Sequence, residues 1–152
     1  MTSNSIKQQL YAQCEHYVHQ RIETAKLAME AAQESANSES KSSAGDKYET
    51  GRAMAQLERD RHAQLLAQAR NMEQELIRVN VEKPYETIQP GSLVKTNRGS
   101  FFISISAGKL TVAGVDYFAV SPASPIATIL SGHKAGDAVT FNNVTYQIVS
   151  VS

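Results

Sequence analysis

In the segment Gly45-Asp46-Lys47-Tyr48-Glu49-Thr50-Gly51-Arg52, two carboxylates stand three residues apart. If a helix begins here, that spacing puts Asp46 and Glu49 on one side of its first turn. Two readings fit the pair. Asp-x-x-Glu opening a helix is a capping box, in which Asp46 accepts a backbone N–H and Glu49 reaches back to the cap. Two carboxylates together also suit Mg²⁺, which keeps several waters and takes only one or two carboxylates from a given source. Carried at the end of a long arm, they can be delivered into another macromolecule's cavity to help hold a metal that has other ligands there.

The remaining reactive side chains point to less. His16 and His19 lie beside Glu15 and Glu23 and make at most half a metal site, better read as a solvated helix face. His62 and His133 have no ligand-like companions in the sequence. Cys14 falls on an apolar stripe and reads as a small core residue. Arg52, Arg59 and Arg61 alternate with Glu58 and Asp60, the pattern of a solvated face that can also steer an anionic partner. There is no Gly-x-Ser-x-Gly elbow, phosphate-binding loop or dinucleotide fingerprint, so no self-contained catalytic site is visible.

The elements that carry the acids are readable from periodicity. Ile6, Leu10, Cys14, Tyr17/Val18, Ile22, Ala25, Met29 and Ala32 recur at steps of three and four, the mark of a helix with one apolar stripe. Met54, Leu57, Leu65, Ala69, Met72, Leu76 and Val79 repeat the pattern. The Ser-rich run from Asn37 to Gly45 favours a turn between them, because its hydroxyls compete for backbone hydrogen bonds. Residues 4–36 and 46–80 are therefore expected to form two antiparallel helices. At about 1.5 Å per residue each is on the order of 50 Å long, more than a compact domain needs.

Beyond residue 83 the chain changes character. All four prolines and six of the eight glycines lie there, together with every phenylalanine. Residues 91–96 and 100–105, 109–112 and 115–120, and 137–141 and 144–151 read as hairpins around Asn97-Arg98-Gly99, Gly114 and Asn142-Asn143. Ser124-Pro125 before Ile126–Leu130, with Gly132 beyond, signals one short helix. The expected class is α+β: a helical hairpin at 1–81, a linker at 82–90, and a small antiparallel sheet domain at 91–152.

Fifteen Lys+Arg balance fifteen Asp+Glu, so the broad electrostatic footprint of a protein gripping nucleic acid through many phosphates is missing, and DNA binding is expected to be weak or absent. The single cysteine excludes an internal disulfide. With no signal-peptide pattern and no run of about 18 apolar residues, a cytoplasmic, non-membrane protein is the expectation.

A helical hairpin bearing Gly-Asp-x-x-Glu at its tip, then Ser121-Pro122-Ala123-Ser124-Pro125-Ile126 and Gly132-His133-Lys134-Ala135-Gly136-Asp137, resembles the bacterial Gre transcript-cleavage (transcription elongation) factors, GreA and GreB, over nearly the whole chain. The resemblance implies a compact, divergent Gre-like branch, with an N-terminal antiparallel coiled coil and a C-terminal domain of FKBP-like fold. It implies a monomer that binds RNA polymerase through the C-terminal domain and inserts the hairpin into the secondary channel, near the RNA 3′ end. It further implies that Asp46 and Glu49 are the tip acids assisting the polymerase active site. They would share Mg²⁺ only within that complex and so stimulate cleavage of backtracked RNA without the chain being an enzyme itself. After Glu49 the family usually has Asn-Ala, where this chain has Thr50-Gly51. Two alternatives stay open: a channel-occupying regulator that does not promote cleavage, and an FKBP-like peptide-binding module.

Overall fold

The structure, a computed structural model, describes residues 2–42 and 45–152, and the side chains of these except 39–42 and 45–48. Two long helices come first, α1 (Ser3–Ser42) and α2 (Gly45–Ile77). The Thr2 hydroxyl accepts the Ser5 N–H at 3.2 Å, the bond of a helix N-cap. Along α1 the buried apolar positions are Leu10, Cys14, Val18, Ala25 and Ala36, steps that keep one face turned inward. Most of the run Asn37–Gly45, expected as a turn, is helical, because α1 continues through Ser42 and α2 begins at Gly45; Ser43 and Ala44 lie outside the described residues.

The stripe expected on α2 splits in two. Ala69 and Leu76 are buried, whereas Met54, Leu57 and Leu65 are exposed. Successive α2 positions rotate by about 100°, so a set spaced only loosely at three and four residues drifts off one face. The half-buried positions on α2 include Arg59, His62, Leu66 and Glu73, a polar mixture that a purely apolar count overlooks.

The chain divides into two compact units. One holds residues 18–73, the greater part of both helices. The other holds residues 1–17 and 74–152, so the start of α1 and the end of α2 fold with the sheet. Within the second unit, Tyr11 Oη donates to the Leu76 carbonyl at 3.2 Å and Gln13 Nε2 to the Thr111 carbonyl at 2.8 Å.

The sheet is built from β1 (Leu93–Thr96), β2 (Gly99–Ile103), β3 (Gly108–Val112), β4 (Val115–Val120), β5 (Ala138–Phe141) and β6 (Val144–Val151), in the order β3-β4-β2-β1-β6-β5. All neighbours are antiparallel except β2 and β4, which run parallel with Phe101 opposite Phe118 and Ile103 opposite Val120. The β3–β4 hairpin folds back so that β4, not β3, lies against β2. The Asn142-Asn143 turn has φ of 51° and 64°, the left-handed pair that a two-residue hairpin requires and that asparagine tolerates.

Alternation along the strands makes two cores. On one face, Val94, Phe101, Ile103, Val139 and Ile148 pack with Ile88 and with Ala127 and Leu130 of the short helix α3 (Pro125–Leu130). On the other, Leu93, Phe102, Leu110, Val112, Tyr117 and Ala119 are buried, and Cys14 of α1 meets Ser104 there at 3.7 Å.

Residues 82–90, read from composition as a linker, bring Tyr85 and Ile88 into the buried interior. Asn80 Oδ1 accepts the N–H groups of Glu82 and Lys83 at 3.0 and 3.2 Å, and Tyr85 Oη donates to the Asn80 carbonyl at 3.0 Å. Gly91, at φ +98°, passes so close that a Cβ there would stand 2.6 Å from the Asn80 carbonyl oxygen, which is why only glycine fits. Lys7 is 2% exposed. Its ammonium donates to the Lys83 carbonyl at 3.0 Å and lies 4.8 Å from the centre of the Tyr85 ring. Carbonyl and ring offset the lost hydration only in part, and burial holds the Lys7 pKa below its ordinary value.

Candidate functional site

The candidate site begins with the first turns of α2. Glu49 lies in α2 and is exposed, with no ion pair or hydrogen bond to any described residue. Asp46 belongs to the same helix by its backbone, but its side chain lies outside the described residues, and so does its pairing with Glu49. Thr50 and Arg52 are exposed and Gly51 is half-buried within the helix, where glycine costs about 1 kcal/mol relative to alanine. The donor chemistry of an exposed carboxylate suits Mg²⁺. Among the described residues no three His, Cys, Asp or Glu side chains gather into a metal cluster.

The histidines of α1 lie on a solvated face, as their spacing leads one to expect. His16 is exposed, as are Glu15 and Glu23. His19 Nε2 approaches Glu73 on the other helix, at 3.8 Å. His62 and His133, read as lacking companions, each have a carboxylate four residues away: Glu58 lies 3.6 Å from His62 and Asp137 lies 3.2 Å from His133. The i,i+4 spacing in the first pair was the available signal. Asp137 also accepts the Lys134 N–H at 3.1 Å. That backbone donor, and then His133, keep its carboxyl below the ordinary carboxylate range. Of the basic residues after the tip, Arg59 pairs with Asp60 at 3.4 Å and Arg61 with Glu58 at 3.3 Å, exposed pairs worth at most about 1 kcal/mol each.

The motifs of the sheet domain shape the chain. Ser124 takes the N-cap of α3: its Oγ accepts the Ala127 N–H at 3.4 Å and donates to the Ser121 carbonyl at 2.7 Å. Pro125 starts the helix, where its missing N–H costs nothing. Gly132 and Gly136, at φ +81° and +94°, turn the chain just before His133 and just before Asp137, and Gly132 donates to the Ile88 carbonyl at 2.9 Å. Replacing Ser124 by alanine is expected to cost about 1 kcal/mol through loss of the cap. Chemical denaturation measures it, and a change below about 0.3 kcal/mol would show the cap to be idle.

Cys14 is fully buried, and removal from water pushes its thiol up to about 11, an effect the Ser104 contact only partly offsets. A raised thiol pKa binds the proton more tightly in the native state. Stability from this group is thus complete below the ordinary value of 9.0 and is lost as pH climbs to about 11. Native Cys14 should also react with iodoacetamide at least about a hundredfold more slowly than in denaturant. Equal rates would contradict the sealed position.

No family model and no curated protein matches the chain.

Proposed function

We propose that this chain is a Gre-like transcription elongation factor, which binds RNA polymerase through its sheet domain and carries Asp46 and Glu49 into the secondary channel to stimulate cleavage of backtracked RNA. The observation that carries the reading is the order of elements. Two helices of 40 and 33 residues put a Gly-Asp-x-x-Glu segment at their junction, and a six-stranded, mostly antiparallel sheet with one short helix follows. The finer assignment of that sheet as FKBP-like rests on the resemblance of its Ser-Pro-Ile and Gly-Asp turns.

In this reading Glu49 is a solvent-facing carboxylate available to a cation, and Asp46 is its companion one turn away in sequence. Mg²⁺ held jointly with the polymerase supplies positive charge to the attacking water and the departing oxygen. The protein's own contribution is charge and position: two acids at the end of a helix pair, with no catalytic centre of their own.

Docking falls to the sheet domain. Of its aromatics, Phe101, Phe102 and Tyr117 are committed to the interior, whereas Phe118 is 41% exposed and Tyr146 half-buried. Phe118 packs its ring 6.2 Å from Phe101, which in turn meets Tyr146 at 6.1 Å, a row that offers a rigid aromatic anchor to a protein partner. The deciding experiment is RNA cleavage in stalled elongation complexes with the purified protein added. Cleavage stimulated above the polymerase's own rate supports the reading. Polymerase binding without stimulation leaves the non-cleaving channel regulator, and no binding removes both.

A further inference from the structure

A cavity of about 240 Å³ opens beside the end of α2 and the turn before α3, and all of its lining lies within the unit formed by residues 1–17 and 74–152. Val79, Pro90, Pro122 and Ala123 give it apolar walls, and Ser104, 1% exposed, closes its inner side. Glu75 and Arg78 also line it; both are exposed and stand three residues apart across the end of α2. Neither is ion-paired or hydrogen-bonded to another described residue, and they do not pair with each other. An apolar hollow of about 150 Å³ already accepts benzene. This one has room for a branched aliphatic or single-ring side chain, and it carries one charge of each sign at its edge.

We propose that the cavity binds a free α-amino acid with an apolar side chain, of the leucine or phenylalanine class. The side chain enters the hollow, the carboxylate meets the Arg78 guanidinium, and the ammonium meets Glu75. Charge complementarity selects this occupant over a partner protein's side chain. A residue inside a polypeptide has a neutral main chain, and a chain end brings one charge. A free amino acid brings both, on adjacent atoms. Guanidinium and carboxylate also match in shape and pair bidentately. The inference stands independently of any binding to RNA polymerase.

Titration calorimetry of the full-length protein with L-leucine and L-phenylalanine tests it, with an expected dissociation constant on the order of 0.1–1 mM for ligands of this size. N-acetyl-L-leucine, which lacks the ammonium, and L-leucinamide, which lacks the carboxylate, should each bind at least about tenfold more weakly. Arg78→Gln should bring leucine down to the level of leucinamide, and Glu75→Gln should bring it down to that of N-acetylleucine. Ala123→Phe, at an exposed position, should fill the hollow and abolish binding while leaving the thermal midpoint nearly unchanged. The two charge variants lie on the surface, so their result stands even if Ala123→Phe fails to fold. No binding at 10 mM ligand, or equal binding of N-acetyl-L-leucinamide, would overturn the proposal; the latter would make the cavity a socket for a partner's side chain.

Discussion

Replacing Asp46 and Glu49 together by Asn and Gln is expected to lower stimulated RNA cleavage by at least about a hundredfold while polymerase binding persists. The substitutions keep size and hydrogen-bonding capacity and remove charge. If the two acids only cap α2, the amides still accept the capping bonds, and the loss should be about 1 kcal/mol of local stability or less. Glu49 points to solvent without a partner among the described residues, so its charge is not already spent on an ion pair. In the proposed role that charge is needed where a cation is held, and the variant should also require more Mg²⁺ for the cleavage that remains. Gly51, two residues further on, loosens the start of α2 by about 1 kcal/mol relative to alanine. Gly51→Ala should therefore raise cleavage or leave it unchanged. A double variant that cleaves stalled RNA as well as the parent would leave the channel-occupying regulator as the surviving reading.

Strong local signals made most of the fold readable. The six strands follow apolar alternation and the Gly and Asn-Asn turns, and α3 follows Ser124-Pro125. What escaped reading depends on contacts distant in sequence. The parallel pairing of β2 with β4 depends on which edge the β3–β4 hairpin folds back onto, a choice that apolar alternation within a strand does not reveal. Tyr85 and Ile88 looked like linker because prolines flank them, yet the strongest constraints on that stretch are Lys7, 76 residues away from Lys83 in sequence, and Gly91. Lys7 was invisible as a core residue because lysine is almost never fully buried without a counter-charge. At the candidate site the sequence supplied the two acids and their spacing. It could not supply their surroundings, because an acid's function at a helix end depends on what approaches it.

The largest effect on stability is expected at Phe102, and its contrast with Phe118 separates folding from docking within one sheet. Phe102 is fully buried, facing the core beneath α1, whereas Phe118, on neighbouring β4, is 41% exposed on the opposite face. Phe102→Ala removes a ring from a closed interior that cannot collapse around the gap, which costs about 3–5 kcal/mol. Small domains have about 5–15 kcal/mol to lose, and the thermal midpoint should fall on the order of 15 °C. Phe118→Ala gives up a ring already partly in water and one tilted contact with Phe101, so its stability loss should stay near 1 kcal/mol. If Phe118 anchors the polymerase, the same change should weaken binding about tenfold or more, since truncated aromatic anchors commonly cost above about 1 kcal/mol. Urea denaturation and polymerase affinity, measured on both variants, give the test. Equal stability losses would contradict the two-faced packing, and unchanged affinity in Phe118→Ala would move the docking surface off this face of the sheet.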